Sequence, residues 1–291
     1  MLSLSHFNKK SSMLTLYSKK KYDTIYHNKV YEQRVLRRKN LIKVCKGAIM
    51  KILSIGNSFS LDAQRYLHRL AKKEGVNLKT VNLFIGGCPL RKHYVNMLND
   101  SASYSLWFNG EGTGFFVSLR QALTSDEWDV ITLQQASTLS ANYDSYQPYL
   151  SELAKYIRKY CPKAKIYIHE TWAYENGCAR LEELGYHSSR EMYENIKKSY
   201  QRAVEEIQAD GLIPSGRAML RASETGLKKA HADTFHASIG AGRYLLALTW
   251  YKTLTGRDIA QNSFDELEEE ITNEEREIVI NAAEYAVKSL G

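Results

Sequence analysis

From Met50 onward, short apolar runs alternate with amphipathic stretches long enough for a crossover, and this rhythm limits the possible folds more than any other feature of the chain. Parallel strands are buried on both faces, and each needs a connection of helical length before the next can begin. On that basis strands are predicted at Lys51–Ile55, Leu78–Phe84, Val130–Leu133, Lys165–His169 and Leu212–Ile213. Helices are predicted over Leu61–Glu74, ending before Gly75, over Tyr146–Tyr160, ending before Pro162, and over Ser189–Gln208. Two more follow, Ile239–Leu254 and Asn273–Leu290. Residues 99–117, with Gly110, Gly112 and Gly114 among aromatics, read as a hairpin-like excursion at one end of the sheet. The expected fold class is α/β, a doubly wound sheet covered by helices, in one domain over 50–291.

The formal net charge of +8 is misleading as an average. Residues 1–49 hold 12 Lys+Arg against Asp23 and Glu32, which leaves 28 basic and 30 acidic residues for everything after them. A body so nearly neutral excludes a nucleic-acid partner, which would need the basic residues on the folded surface. The leader lacks a secretory apolar core and is rich in Lys and Tyr instead of Arg and Ser. Two expectations stand for it: a disordered basic tail, or a stretch upstream of a true start at Met50, with the Lys46-Gly47-Ala48 codons serving as a ribosome-binding sequence. No run approaches the roughly 18 to 20 apolar residues of a membrane span, so no membrane partner is expected.

Cys45, Cys88, Cys161 and Cys178 show neither C-x-x-C pairing nor metal-ligand spacing, which suits a reducing, cytoplasmic setting. No metal is expected: His231 and His236 share a loop at an uncommon spacing, and His169-Glu170 has no second histidine nearby. Neither G-x-x-x-x-G-K-[ST] nor G-x-G-x-x-G occurs, so no nucleotide cofactor is expected. Asp62 and Glu170 stand near strand ends without the pairing a glycosidase needs.

The first strand runs directly into Gly56-Asn57-Ser58-Phe59-Ser60 and a helix. Ligands of open α/β sheets bind beyond the carboxyl ends of the strands, where a helix N-terminus offers free N–H groups and partial positive charge. Ser58 is therefore either a hydroxyl held in that field or, with Ser60, a helix cap. Asp233 precedes His236 by three residues, a spacing that lets a carboxylate accept the Nδ1 proton and leaves Nε2 free; a structural turn has the same spacing. Gly86-Gly87 after the second strand and Gln134-Gln135 after the third are candidate donors to a developing oxyanion, or else an ordinary turn and a polar strand end. Trp172 and Tyr174 are candidates to line a pocket, His93 approaches from the second strand's side or packs, and Trp250 is assigned to packing.

In this order along the chain, nucleophile, donors and Asp/His pair resemble the SGNH (GDSL-like) hydrolase superfamily over residues 50 to 255. The nearest resemblance is to an uncharacterised bacterial branch, carried by GNSFS at 56–60, NLFIGGC at 82–88, LQQAS at 133–137, TWAY at 171–174, D-x-x-H at 233–236, and Gly242-Arg243-Tyr244-Leu245 with Trp250-Tyr251 and Leu254-Thr255-Gly256. The resemblance implies a flavodoxin-like three-layer sandwich with Ser58 as nucleophile, and with Gly87 and Gln135 joining the Ser58 N–H in the oxyanion hole. His236 with Asp233 is then the base. GNSFS stands where many members have GDS, and Gln where many have Asn; Gln at that block also occurs in sialate O-acetylesterase-like and some acetylxylan esterase relatives. The expected function is hydrolysis of a small acyl ester, above all an O-acetyl group on a carbohydrate. The alternatives are a thioesterase or lipid esterase, whose apolar groove the polar 99–117 stretch disfavours, and a silent carbohydrate-binding module, which has no need of a base aligned on a serine. A chain beginning at Met50 is expected to melt at the same temperature as the full chain, because residues 1–49 present no periodic apolar face; a large loss of thermal stability would contradict this.

Overall fold

The computed structural model describes residues 49–290, so the basic leader lies outside the described residues apart from Ile49. Five strands are parallel: β1 (Met50–Gly56), β2 (Leu78–Phe84), β5 (Val130–Leu133), β6 (Lys165–His169) and β7 (Gly211–Ile213). Two more, β3 (Tyr104–Phe108) and β4 (Glu111–Val117), form a hairpin that pairs antiparallel with β2, giving the order β4-β3-β2-β1-β5-β6-β7. The excursion at residues 99–117 is thus part of the sheet. Its exposed strand β4 lacks the buried apolar run that marks β1, β2 and β5.

Among the parallel strands the order is second, first, third, fourth, fifth, the flavodoxin-like arrangement. Right-handed crossovers then send the connections on either side of β1 to opposite faces. One face carries α1 (Ser58–Gln64), α2 (Leu67–Lys73), α8 (Ser215–Glu224), α9 (Ala241–Thr255) and α10 (Asn273–Lys288); the other carries α3 (Leu90–Leu98), α4 (Leu119–Thr124), α5 (Tyr149–Tyr160) and α7 (Ser189–Glu206). A short α6 (Ala179–Glu183) precedes α7. Helix α9 is buried nearly all round, packing against α1, α2, α8 and α10, and Trp250 within it is fully buried, as assigned.

The predicted helix over Leu61–Glu74 is two helices that turn at Arg65 and Tyr66. Tertiary bonds decide this break. Arg65 reaches the Gly110 carbonyl at 2.7 Å and the Glu111 carboxylate at 3.0 Å on the hairpin, while the Tyr66 hydroxyl donates to the Ile239 carbonyl at 2.5 Å.

Glu170, just past β6, is wholly buried and accepts the Arg217 N–H at 2.9 Å, capping α8 from across the sheet. Burial pushes its carboxyl up to about 7, against the pull of Arg217. The folded protein therefore holds this proton more tightly than the unfolded chain. The stability that follows is complete below the ordinary value of 4.5 and is lost as pH rises through about 7. Glu170→Gln keeps an accepting oxygen without the charge, so its melting temperature should gain on the wild type's between pH 5 and pH 8. An offset that does not change with pH would show that Glu170 does not titrate there.

Candidate active site

At the carboxyl end of β1 the chain turns through Gly56 and Asn57 into α1. Asn57 is the cap: its Oδ1 accepts the Phe59 N–H at 3.1 Å. Ser60 also turns inward, its hydroxyl shared between the Asn57 carbonyl at 2.9 Å and Asn82 Oδ1 at 3.0 Å. Capping is thus supplied by Asn57 alone, Ser60 is spent on inward donation, and the Ser58 hydroxyl is left for another partner. A Cβ at Gly56 would lie 2.3 Å from Ser60 Oγ, so only glycine lets the helix follow the strand this closely.

The partner of Ser58 is His236. Ser58 Oγ lies 2.8 Å from His236 Nε2, and His236 Nδ1 lies 2.7 Å from Asp233 Oδ2, while Asp233 Oδ1 also accepts the His236 backbone N–H at 2.8 Å. In the neutral ring Nδ1–H donates to Asp233 and Nε2 accepts the serine hydroxyl. Burial draws the Asp233 carboxyl upward, but the hydrogen bonds from His236 outweigh it and hold the group below its ordinary value.

Thr234, between the two, has φ +73°, a left-handed conformation that a β-branched residue adopts only under constraint. The constraints are visible. Glu175 N–H donates to the Thr234 carbonyl at 2.8 Å, the Trp172 indole N–H to the Phe235 carbonyl at 2.7 Å, and the Ala232 N–H to the His236 carbonyl at 2.9 Å. From the opposite side Asp62 of α1 accepts the Ala237 N–H at 3.1 Å and the Arg243 guanidinium at 2.9 Å. The helix that carries Ser58 therefore also grips the residue after His236. Burial raises the Asp62 carboxyl despite Arg243 and His236 nearby.

Gly87, with φ +59° and open space around its Cβ position, exposes an N–H that meets no acceptor among the described residues. The Ser58 N–H, first in its helix, has no partner within the helix. These two N–H groups lie on the turns after β1 and β2, which Asn57 ties together by donating from Nδ2 to the Cys88 carbonyl at 3.2 Å. Gln135 departs from the expected role: its Nε2 donates to the carbonyl and hydroxyl of Ser145, each at 3.1 Å, and its Oε1 accepts the Leu90 N–H at 2.9 Å. Its amide is spent on fastening the loop after β5 to the start of α3. Gln134 instead faces the turn before Ser58, donating to Asn57 Oδ1 at 2.7 Å and accepting from His169 Nδ1 at 2.7 Å. His169 Nε2 then takes the Ser215 hydroxyl at 3.0 Å, and burial lowers this imidazole to about 3.

The three residues expected to line a pocket are packed instead. Trp172 is fully buried, stacked on Phe59 with ring centroids 4.0 Å apart. Tyr174 is buried with its hydroxyl 2.9 Å from Ser137 Oγ. His93 lies 3.0 Å from the Tyr104 hydroxyl, and burial lowers it to about 3. Trp172 still bears on the site, because it supports both the helix that begins at Ser58 and the loop that carries His236. A cleft of about 350 Å³, lined by Glu175, Arg190, Glu224, Lys228 and His231 among others, lies behind that loop and contains neither Ser58 nor His236. Volume and chemistry are separate here, and the hydrogen-bond geometry marks the site. Among the described residues no three His, Cys, Asp or Glu side chains gather as metal ligands, and no helix is long and apolar enough to cross a membrane.

A family model described as a domain of unknown function, DUF4886, matches residues 51–286. The chain belongs to the DUF4886 family. A crystal structure of another DUF4886 protein, from Bacteroides uniformis, is 33% identical with a TM-score of 0.77, covering 83% of this chain and 95% of that one. A putative GDSL-like lipase from Parabacteroides merdae is 16% identical with a TM-score of 0.51, covering 74% and 99% of the two chains. That likeness shows the fold, which is the GDSL-like α/β fold of the SGNH hydrolases. No curated protein matches this DUF4886 chain.

The bonds of Gln135 carry a consequence for stability. Gln135→Ala strands the buried Leu90 N–H and the Ser145 carbonyl, and it is expected to cost about 1–3 kcal/mol in urea unfolding. A stability unchanged within error would free the carboxamide for another task.

Proposed function

We propose that this DUF4886 protein is a serine carboxylic ester hydrolase acting on small acyl esters, above all O-acetyl groups on carbohydrate. The observation that carries the reading is the unbroken relay Ser58–His236–Asp233, with contacts of 2.8 and 2.7 Å, beside the free Gly87 N–H at the switch point of the sheet. A structural turn has no need of a serine hydroxyl aimed at Nε2, nor has a silent binding module.

In the reaction Ser58 Oγ attacks the ester carbonyl as its proton passes to His236 Nε2. The carbonyl oxygen gains the negative charge and is received by the N–H groups of Ser58 and Gly87. Collapse expels the alcohol, which takes the proton from His236 and leaves an acyl-serine. Water, deprotonated by the same nitrogen, releases the acid and restores Ser58. Asp233 keeps the imidazole in the required tautomer and stabilises its charged form. No step calls for a cofactor.

A fluorophosphonate should label Ser58, located by mass spectrometry, and Ser58→Ala should lose both labelling and turnover. Labelling at another residue, or hydrolysis undiminished in Ser58→Ala, would end the proposal. Asp233→Asn should keep the melting temperature while kcat falls on the order of 10²- to 10⁴-fold, since the amide favours the wrong tautomer. A loss of only a few fold would leave Asp233 as a turn residue.

A further inference from the structure

The sheet register aligns an aromatic row with the nucleophile. Phe84 at the end of β2 pairs with Gly56 on one side and Ser105 on the other, and Ser105 pairs with Phe116 of β4. Partners paired across strands share a face, and so do residues two apart on one strand. Asn82, two before Phe84, meets Ser60 of α1, so Phe84, Ser105 and Phe116 stand on the α1 face, the face from which His236 reaches Ser58. Trp107, paired with Asn82, stands on that face too, edge-on to Phe84 with ring centroids 6.2 Å apart. A Cβ at Gly112 would lie 3.5 Å from Trp107 Cζ2, so the indole rests against the backbone of β4.

The row begins beside the catalytic turn. A Cβ at Gly86 would lie 3.9 Å from Phe84 Cζ, which places this ring next to the Gly86-Gly87 donor turn. It ends about three strand spacings away, roughly 14 Å from Gly56 along the sheet. There Phe116 keeps 65% of its surface exposed, although it is among the largest apolar side chains in the chain.

We infer that this row is a glycan platform, with Phe84 and Trp107 facing the sugar that bears the ester and Phe116 facing a sugar further along the same chain. The inference rests on the esterase reading above. An acyl chain gains in proportion to the apolar area it hides, so one laid on an open row keeps its outer side in water and gains less than it would in an enclosing groove. A flat ring open on one face suits a sugar, whose C–H face stacks while its hydroxyls stay hydrated. The distance matters as well: an acetylated monosaccharide at Ser58 spans Phe84, whereas only an oligosaccharide spans the row to Phe116.

The test compares kcat/KM for Phe116→Ala and the wild type on p-nitrophenyl acetate and on an acetylated tetrasaccharide. The change at this exposed site is not expected to unfold the protein. Phe116→Ala should lower the tetrasaccharide-to-p-nitrophenyl acetate ratio by about tenfold, an ordinary worth for one aromatic contact. Phe115→Ala, 69% exposed on the same strand but outside the cross-strand pairing that aligns the row, serves as the control and should leave the ratio unchanged. A ratio unmoved by Phe116→Ala, or moved equally by Phe115→Ala, overturns the platform. If the wild type cleaves p-nitrophenyl acetate and no sugar ester, or cleaves neither, calorimetry of the Ser58→Ala protein with the tetrasaccharide decides between the two ideas. Binding weakened about tenfold by Phe116→Ala sustains the platform, and the esterase reading fails only where neither ester is cleaved; absence of binding ends the platform.

Discussion

The carboxamide of Asn57 joins three strand ends, and it does so with both of its poles. Its oxygen accepts from the Phe59 N–H and from Gln134, while its nitrogen donates to the Cys88 carbonyl at 3.2 Å. The turn after β1, the glycine turn after β2 and the loop after β5 thus take their spacing from one side chain. The free N–H groups of Ser58 and Gly87 belong to two of those turns. The chemistry at this position also explains why asparagine stands where many SGNH hydrolases have aspartate. An ionised carboxylate could keep the two accepted bonds, but it has no hydrogen for Cys88.

Behind Asn57 the orientation passes inward through neutral groups. Gln134 faces it with its nitrogen forward while its oxygen accepts from His169; burial keeps that imidazole neutral with a single N–H, and Nδ1 donating to Gln134 leaves Nε2 to accept from Ser215. Each amide in the chain is thereby assigned one orientation. The other half of the site is fixed from outside the sheet: Asp62, Trp172 and Glu175 hold the segment on either side of His236, and together they sustain a left-handed Thr234 that would otherwise relax. The His236 imidazole is consequently held against Ser58 by the fold itself, the condition under which the proposed charge stabilisation would require little reorganisation.

The parallel strands were legible because burial on both faces leaves an apolar run with sharp ends; Leu78–Phe84, Val130–Leu133 and Lys165–His169 coincide with the elements observed. The meeting of Ser58, Asp233 and His236 was legible for another reason. Their chemistry lies in short local patterns, a strand-to-helix turn and a three-residue spacing, which survive without knowledge of the tertiary fold. The hairpin was legible only as a glycine-rich excursion at one end of the sheet, because β4 is largely exposed and lacks the buried run that would mark it as a strand of that sheet. The break at Arg65 and Tyr66 was hidden because its cause lies in residues far along the chain. Direction was the other casualty: nothing in LQQAS tells which glutamine turns toward the serine, and nothing in TWAY tells that its aromatic rings turn into the core. Position after a strand places a side chain at an end of the sheet, but neighbours choose the side.

The open hairpin has an implication of a different kind. Strand β4 forms the outer edge of the sheet, so its outward N–H and C=O groups and the adjoining Phe115 and Phe116 are available to a strand from another molecule. Several features work against such pairing. The register slips between Ser105 and Trp107, Gly114 takes φ +77°, and Arg65 clamps the tip through Gly110 and Glu111. A bent and tethered edge is a poor template for aggregation. Self-association at this margin is thus resisted by irregular shape, which leaves the aromatic surface free to stay uncharged.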